Sequence, residues 1–244
     1  MNLEKVFNFI KEKKGYDVPT LYKLLNDIPL PDDEKTEYIN KLDSDGIYNL
    51  LTTYSKEPEK IMNILGNKGI EFINNLDGYG IGYLLNNSKE PEKIIDILLS
   101  SNEFINNLKS YGIKDLLYHS NEKDRIIDIL LSSNEFINNL KSAGIYHLLN
   151  SSKEPDRIIN ILLSSNEFIN NLKSDGIRML LSNSKEPDRI INILLSTEGF
   201  INNLDSNGIN NLVSYSTEPD EIKEIIRKEI IRKYRPDIQL KDRY

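Results

Sequence analysis

NEFINNLKSAGIYHLLNSSKEPDRIINILLSS, residues 134–165, runs directly into NEFINNLKSDGIRMLLSNSKEPDRIINILLST, residues 166–197. The two copies of this 32-residue unit differ at six positions. Five are Ala143/Asp175, Tyr146/Arg178, His147/Met179, Asn150/Ser182 and Ser151/Asn183. They fall at i, i+3, i+4, i+7 and i+8, the spacing of one helical face. The sixth, Ser165/Thr197, is conservative. The chain therefore repeats itself along most of the unit and varies along one stripe. A period of this size is the signature of stacked repeats, because one short unit cannot bury its apolar faces alone.

The repeat extends well beyond these two copies. Six regular units carry Gly46, Gly80, Gly112, Gly144, Gly176 and Gly208, with a first spacing of 34 and then 32 throughout. Phe72, Phe104, Phe136, Phe168 and Phe200 keep the period, and Tyr38 takes that place in the first unit. Residues 1–36 read as an N-terminal helical cap holding a degenerate unit, in which Leu21, Leu24 and Leu25 match the later GIxxLL pattern. Residues 37–219 are the tandem repeats, and residues 220–244 a C-terminal capping helix and tail. The expected fold is an all-α solenoid, one continuous body with degenerate caps at both ends.

Each unit predicts three short helices. In residues 88–120, Pro91 suits a first helical turn, and Ile94, Ile95, Leu98 and Leu99 give that helix an apolar face. Ser100-Ser101-Asn102-Glu103 reads as a capping box, with Leu99 and Phe104 placed as a hydrophobic staple. Ser110 is the expected cap of the third helix, as are Ser44, Ser142, Ser174 and Ser206, with Gly78 in that place once. The glycine near the start of the third helix predicts close approach of a neighbouring unit.

Composition narrows the function classes. The chain has no cysteine, so disulfides and Cys-based metal sites are out, and a reducing compartment fits. The charged N-terminus MNLEKVFNFIKEKKG lacks a signal-peptide core, and no apolar run approaches the ~18 residues of a membrane helix. We expect an intracellular, cytoplasmic protein that does not engage membranes. A formal charge of −7 weighs against general affinity for nucleic acid or acidic lipid.

The variable stripe is the candidate partner-binding surface. It comprises Tyr48 and Asn49, then Tyr79, Tyr83, Asn86 and Asn87, then Tyr111, Lys114, Asp115, Tyr118 and His119. It continues with Tyr146, His147, Asn150 and Ser151, then Arg178, Met179, Ser182 and Asn183, then Asn210, Asn211 and Tyr215. Both histidines of the chain lie in it, and tyrosine with asparagine and serine is the composition of adaptable recognition surfaces. Other polar pairs, such as Asn138-Asn139 and Lys153-Glu154, recur unchanged as Asn170-Asn171 and Lys185-Glu186. Free drift of exposed positions would have altered those too.

No catalytic constellation is present. The acidic clusters at Asp32-Asp33-Glu34, Glu57–Glu59 and Glu218–Glu221 fall at expected helix starts, where carboxylates favour the helix dipole. No phosphate loop, dinucleotide motif, HExxH or nucleophile elbow occurs, and His119 and His147 sit at different stripe positions without cysteine. We expect no enzyme, no cofactor and no metal.

The apolar register Leu172, Ile177, Leu180, Leu181, Ile190, Ile193 and Leu194 resembles transcription activator-like effector repeats. That resemblance implies a dipeptide facing DNA bases at Asn87-Ser88, His119-Ser120, Ser151-Ser152 and Asn183-Ser184. The family follows its dipeptide with Gly-Gly, whereas this chain has Lys89-Glu90, Asn121-Glu122, Lys153-Glu154 and Lys185-Glu186. The LxxxGI element is also similar to mitochondrial transcription termination factor repeats. Two functions are weighed: a scaffold for a protein or peptide partner, and a modular nucleic-acid binder using the same stripe. Lysines at 56, 89, 153 and 185 run beside the stripe, but Glu57, Glu90, Glu154 and Glu186 follow them. Phosphate binding needs cations, so the first function is the expectation.

Overall fold

The computed structural model describes Met62 and residues 67–234. The expected N-terminal cap, the stretch of the first repeat with Tyr48 and Asn49, and the tail beyond residue 234 lie outside the described residues. Every element among the described residues is helical, and neighbouring helices pack in chain order as an α-solenoid. The residues divide into two units, Met1–Asn121 and Glu122–Tyr244.

The first unit holds α1 (Asn67–Asn74), α2 (Gly78–Asn87), α3 (Pro91–Leu99), α4 (Asn102–Asn107) and α5 (Ser110–His119). The second begins with α6 (Lys123–Leu131), α7 (Asn134–Asn139), α8 (Ser142–Ser151), α9 (Pro155–Leu162), α10 (Asn166–Asn171) and α11 (Ser174–Asn183). It continues with α12 (Pro187–Ser196), a 3-10 turn at Ile201–Asn203, α13 (Ser206–Tyr215) and α14 (Pro219–Tyr234). Like helices stack on like within each unit: α2 on α5 and α1 on α4 in the first, α8 on α11, α11 on α13 and α7 on α10 in the second.

The predicted apolar register forms the core. Phe104, Phe136, Phe168 and Phe200 are buried, as are Ile113, Leu116 and Leu117 with their counterparts in α8 and α11. Helices of six to ten residues are marginal alone, so this shared burial is what holds them. The glycine expectation also holds. A Cβ at Gly112 would lie 2.7 Å from Ile81 Cδ1 of the preceding repeat, and one at Gly176 would lie 3.3 Å from Ile145 Cδ1.

Two capping expectations shift by one residue. The cap of α4 is Ser101, whose Oγ accepts from the Phe104 N–H at 3.3 Å, and Ser133 and Ser165 do the same for Phe136 and Phe168. Ser100 instead donates to Ile97 O, closing the helix before. Glu103 is therefore one place too early to complete a capping box. In the third helix Ser110, Ser142, Ser174 and Ser206 are the first helical residues, and the residue before each is the cap. Where that residue is aspartate the cap is bonded: Asp77 accepts from Gly80 N–H at 2.8 Å and Asp205 from Gly208 N–H at 2.6 Å. Lys109, Lys141 and Lys173 occupy the same place without a side-chain cap bond.

Candidate binding surface

The stripe residues lie on the exposed side of the third helices, α2 and α5 in the first unit and α8, α11 and α13 in the second. They separate into two rows. On α2 Tyr79, Tyr83, Asn86 and Asn87 are exposed and Gly82 is buried; on the later third helices the first, second and fourth stripe positions face solvent, as Tyr111, Lys114 and Tyr118 on α5, and as Tyr146 and Asn150 on α8. On α11 Arg178 and Ser182 do so, and on α13 Asn210. The third and fifth positions are half-buried in most units, as with Asp115, His119, His147, Ser151, Met179, Asn183, Asn211 and Tyr215.

The half-buried positions, with Asn86 and Asn87 of α2, do structural work. Asn87 Nδ2 donates to Tyr83 O at 3.0 Å and Asn183 Nδ2 to Met179 O at 2.8 Å. His119 Nδ1 lies 2.9 Å from Asp115 O, and its Nε2 lies 3.1 Å from Asn86 Oδ1 on the preceding repeat. Asn211 Nδ2 donates to Ser174 O at 2.8 Å, also one repeat back. Asn86 Nδ2 donates to Gly82 O at 2.8 Å. These side chains add bonds to carbonyls of the helices and tie neighbouring repeats.

The exposed positions carry large apolar surface. Tyr79 is 72% exposed, Tyr83 56%, Tyr111 66%, Tyr118 76% and Tyr146 46%. Apart from Ile230, these are the exposed large apolar side chains among the described residues. Tyr79 and Tyr111 stack at 6.2 Å between ring centroids. The close approach that sets this pair comes from Gly78 and Gly82, where an added Cβ would meet Tyr111 Cβ at 2.5 Å and Asp115 Oδ2 at 2.7 Å.

The turns after α5, α8, α11 and α13 are clamped by the repeat before. Ser120 Oγ donates to both Glu92 oxygens at 3.0 Å, and the Asn121 N–H donates to Glu92 at 2.7 Å. Ser152 donates to Asp124 at 3.2 Å and Ser184 to Asp156 at 3.0 Å. Thr217 gives both its hydroxyl and its N–H to Asp188, at 2.8 and 3.0 Å. Those two bonds, the N–H first, hold the Asp188 carboxyl below its ordinary value. The serines that the effector resemblance would aim at DNA bases are thus engaged inside the protein, and Ser120 is buried.

The lysines beside the stripe behave differently from their sequence neighbours. Glu90 pairs with Lys93, Glu122 with Arg125, Glu154 with Arg157 and Glu186 with Arg189. Each acid turns to the cation three residues on, along its own helix. Among the described residues no ion pair holds Lys89, Lys153 or Lys185, so the acid that follows each does not engage it. Lys109, Lys141 and Lys173, at the start of their third helices, likewise have no ion-pair partner among the described residues, and the sequence signals them by the lysine before each serine.

Among the described residues no three His, Cys, Asp or Glu side chains converge as a metal would need. No described helix is long and apolar enough to cross a membrane. No protein-family model, curated protein or solved structure matches the chain.

Proposed function

We propose that the chain is a non-enzymatic, cytoplasmic scaffold that recognises a protein or peptide through the exposed row of its third helices. The observation that carries this is the cluster of Tyr79, Tyr83, Tyr111 and Tyr118 on α2 and α5, solvent-facing and absent from the core. Contiguous exposed aromatic surface marks interaction sites, and tyrosine contributes large contact area at low entropic cost. The half-buried row supports the same reading from beneath by fixing the helices that present these rings. The test compares two variant sets for binding to displayed random peptides and to labelled single- and double-stranded oligonucleotides. The first set replaces Tyr83, Tyr118 and Tyr146 by Ala, and the second replaces Lys89, Lys153 and Lys185 by Ala. Peptide binding that falls with the first set and survives the second supports the proposal, since each desolvated aromatic contributes about 1–3 kcal/mol.

A second reading, a nucleic-acid binder, is favoured by the unpaired state of Lys89, Lys153 and Lys185 and by the resemblance to effector repeats. Against it stand the engaged Ser120, Ser152 and Ser184 and the formal charge of −7. If it holds, the lysine set weakens binding to every sequence and flattens the log–log salt slope by nearly one unit per lost phosphate contact.

A further inference from the structure

In the first unit a cleft of about 330 Å³ opens between the turn joining α1 to α2 and the turn joining α4 to α5. Leu76, Ile81, Phe104 and Leu108 supply its apolar lining, and Asn107 and Lys109 stand exposed on it. That volume sits at the bottom of the range for ligand pockets, the scale of a large side chain. Phe104 and Ile81 are core residues whose positions are fixed by burial, so the apolar wall is preformed. The cleft adjoins the tyrosine surface along both chains: Gly78, which lines it, precedes Tyr79, and Lys109 stands two residues before Tyr111.

We propose that this cleft takes one apolar side chain of an extended peptide, with an Asp or Glu beside it pairing with Lys109. The proposal rests on the reading of the stripe as a peptide-binding surface and names the ligand's chemistry. Charge complementarity selects the acid. Lys109 and Lys114 are exposed and have no ion-pair partner among the described residues, whereas carboxylates nearby already accept hydrogen bonds from within the protein. Asp77, which also lines the cleft, accepts from Gly80 N–H. Glu103 accepts from Asn74 at 2.6 Å, and Glu92 clamps Ser120. Tyr79 and Tyr111, stacked beside the cleft, flank the peptide on its way to Lys114 and Tyr118. An apolar anchor in a pocket with a charged group at its edge is the usual form of a binding hot spot.

Random peptides of about a dozen residues displayed on phage, selected on the full chain, test this. Lys109→Asp reverses the charge without threatening the fold, because Asp77 and Asp205 already cap their helices from the same place. Asn107→Tyr narrows the cleft from its rim. The expected winners carry an apolar residue next to Asp or Glu and lose about tenfold or more in affinity on either variant. Winners that are basic, winners indifferent to both variants, or no enrichment at all overturn the proposal. Loss with Tyr118→Ala but not with Lys109→Asp keeps the stripe reading and removes this one; the reverse pattern keeps the cleft and removes the stripe. Binding of an oligothymidylate in place of any peptide overturns both.

Discussion

The Asn138 side chain donates to Glu167 at 2.6 Å, joining two repeats across 29 residues of sequence. The same amide accepts from Ser165 Oγ at 2.6 Å. Asn74 repeats the arrangement in the first unit, with Glu103 and Ser101 at 2.6 Å each. Ser165 thereby does two things at once: it caps α10 and holds the helix stacked beneath it. One polar side chain per repeat sets the register that the apolar core alone would leave free to slide.

Asn138→Ala removes both bonds and should cost about 1–3 kcal/mol, since two partners are lost and the Ser165 hydroxyl is half-buried. Asn166→Ala, an exposed residue one place after the cap, is the control and should stay within about 0.5 kcal/mol. Urea denaturation of both variants measures this; equal effects would mean the ladder contributes nothing beyond helix propensity.

The ladder fails once, which gives a prediction of opposite sign. Thr197, Glu198 and Gly199 stand where Ser165, Asn166 and Glu167 stand one repeat earlier. Thr197 Oγ1 donates to Ile193 O instead, Gly199 takes a φ of +87°, and the second helix shrinks to the 3-10 turn Ile201–Asn203. Asn170 Oδ1 is left buried without a partner. Replacing residues 197–199 by Ser-Asn-Glu, a sequence that forms the cap in the preceding repeat, should stabilise the chain by about 1–2 kcal/mol. A lower melting temperature would show that the positive-φ turn is required for α13 to dock.

Gly112→Ala sets two effects against each other. Helix propensity gains about 1 kcal/mol, but the new Cβ would lie 2.7 Å from Ile81 Cδ1, a buried atom with little room to move. Overpacking of this kind costs about 1–3 kcal/mol, so net destabilisation is expected. Gly176→Ala, facing Ile145 Cδ1 at 3.3 Å, should be milder. Melting curves that rank the pair the other way would remove the close-approach argument.

Much of this was legible in the sequence, and the rest was hidden for definable reasons. The fixed period of Gly, Ile and Phe gave three helices per unit and the buried face of each, because periodicity reports burial directly. The cap of α4 lies one residue after the expected one because Ser100 and Ser101 have equal capping chemistry, and that of α5 one residue before it because Lys109 is a poor cap that nonetheless holds the place. Lys89-Glu90 looked like a neutralised pair, yet helical geometry joins residues three apart and gives Glu90 to Lys93. The bonds of Asn138 and Glu92 to the next repeat span 27 to 29 residues, beyond what local pattern carries. The stripe was visible as variation between copies, but not its division into an exposed and a half-buried row.

Asp188 predicts a pH dependence. Its carboxyl is held below the ordinary value, first by the Thr217 N–H and then by the Thr217 hydroxyl. A group depressed in the folded state stabilises fully above its unfolded value and loses that contribution as pH falls through the folded one. The effect is therefore complete above about pH 4 and disappears on further acidification. Thr217→Val removes the hydroxyl and keeps the N–H, so the carboxyl should rise only part of the way toward the ordinary value. Carbon-detected NMR titration of Asp188 reads this directly; a full return to the ordinary value would make the hydroxyl, not the backbone, the main cause.

The two rows of the stripe should separate in a stability measurement. Tyr83→Ala and Tyr118→Ala remove rings that are 56% and 76% exposed, so each should change unfolding free energy by no more than about 0.5 kcal/mol. Asn183→Ala breaks the bond to Met179 O, and Asn211→Ala breaks the bond to Ser174 O of the preceding repeat. Each of these should cost about 0.5–1.5 kcal/mol. Denaturant titrations with unchanged slope make the comparison clean. An outcome of this kind would leave the exposed rings to the proposed contact with a partner rather than to the fold. A loss above about 1.5 kcal/mol in Tyr118→Ala would put the ring in the structural row, and the recognition surface would lose the residue on which it most depends.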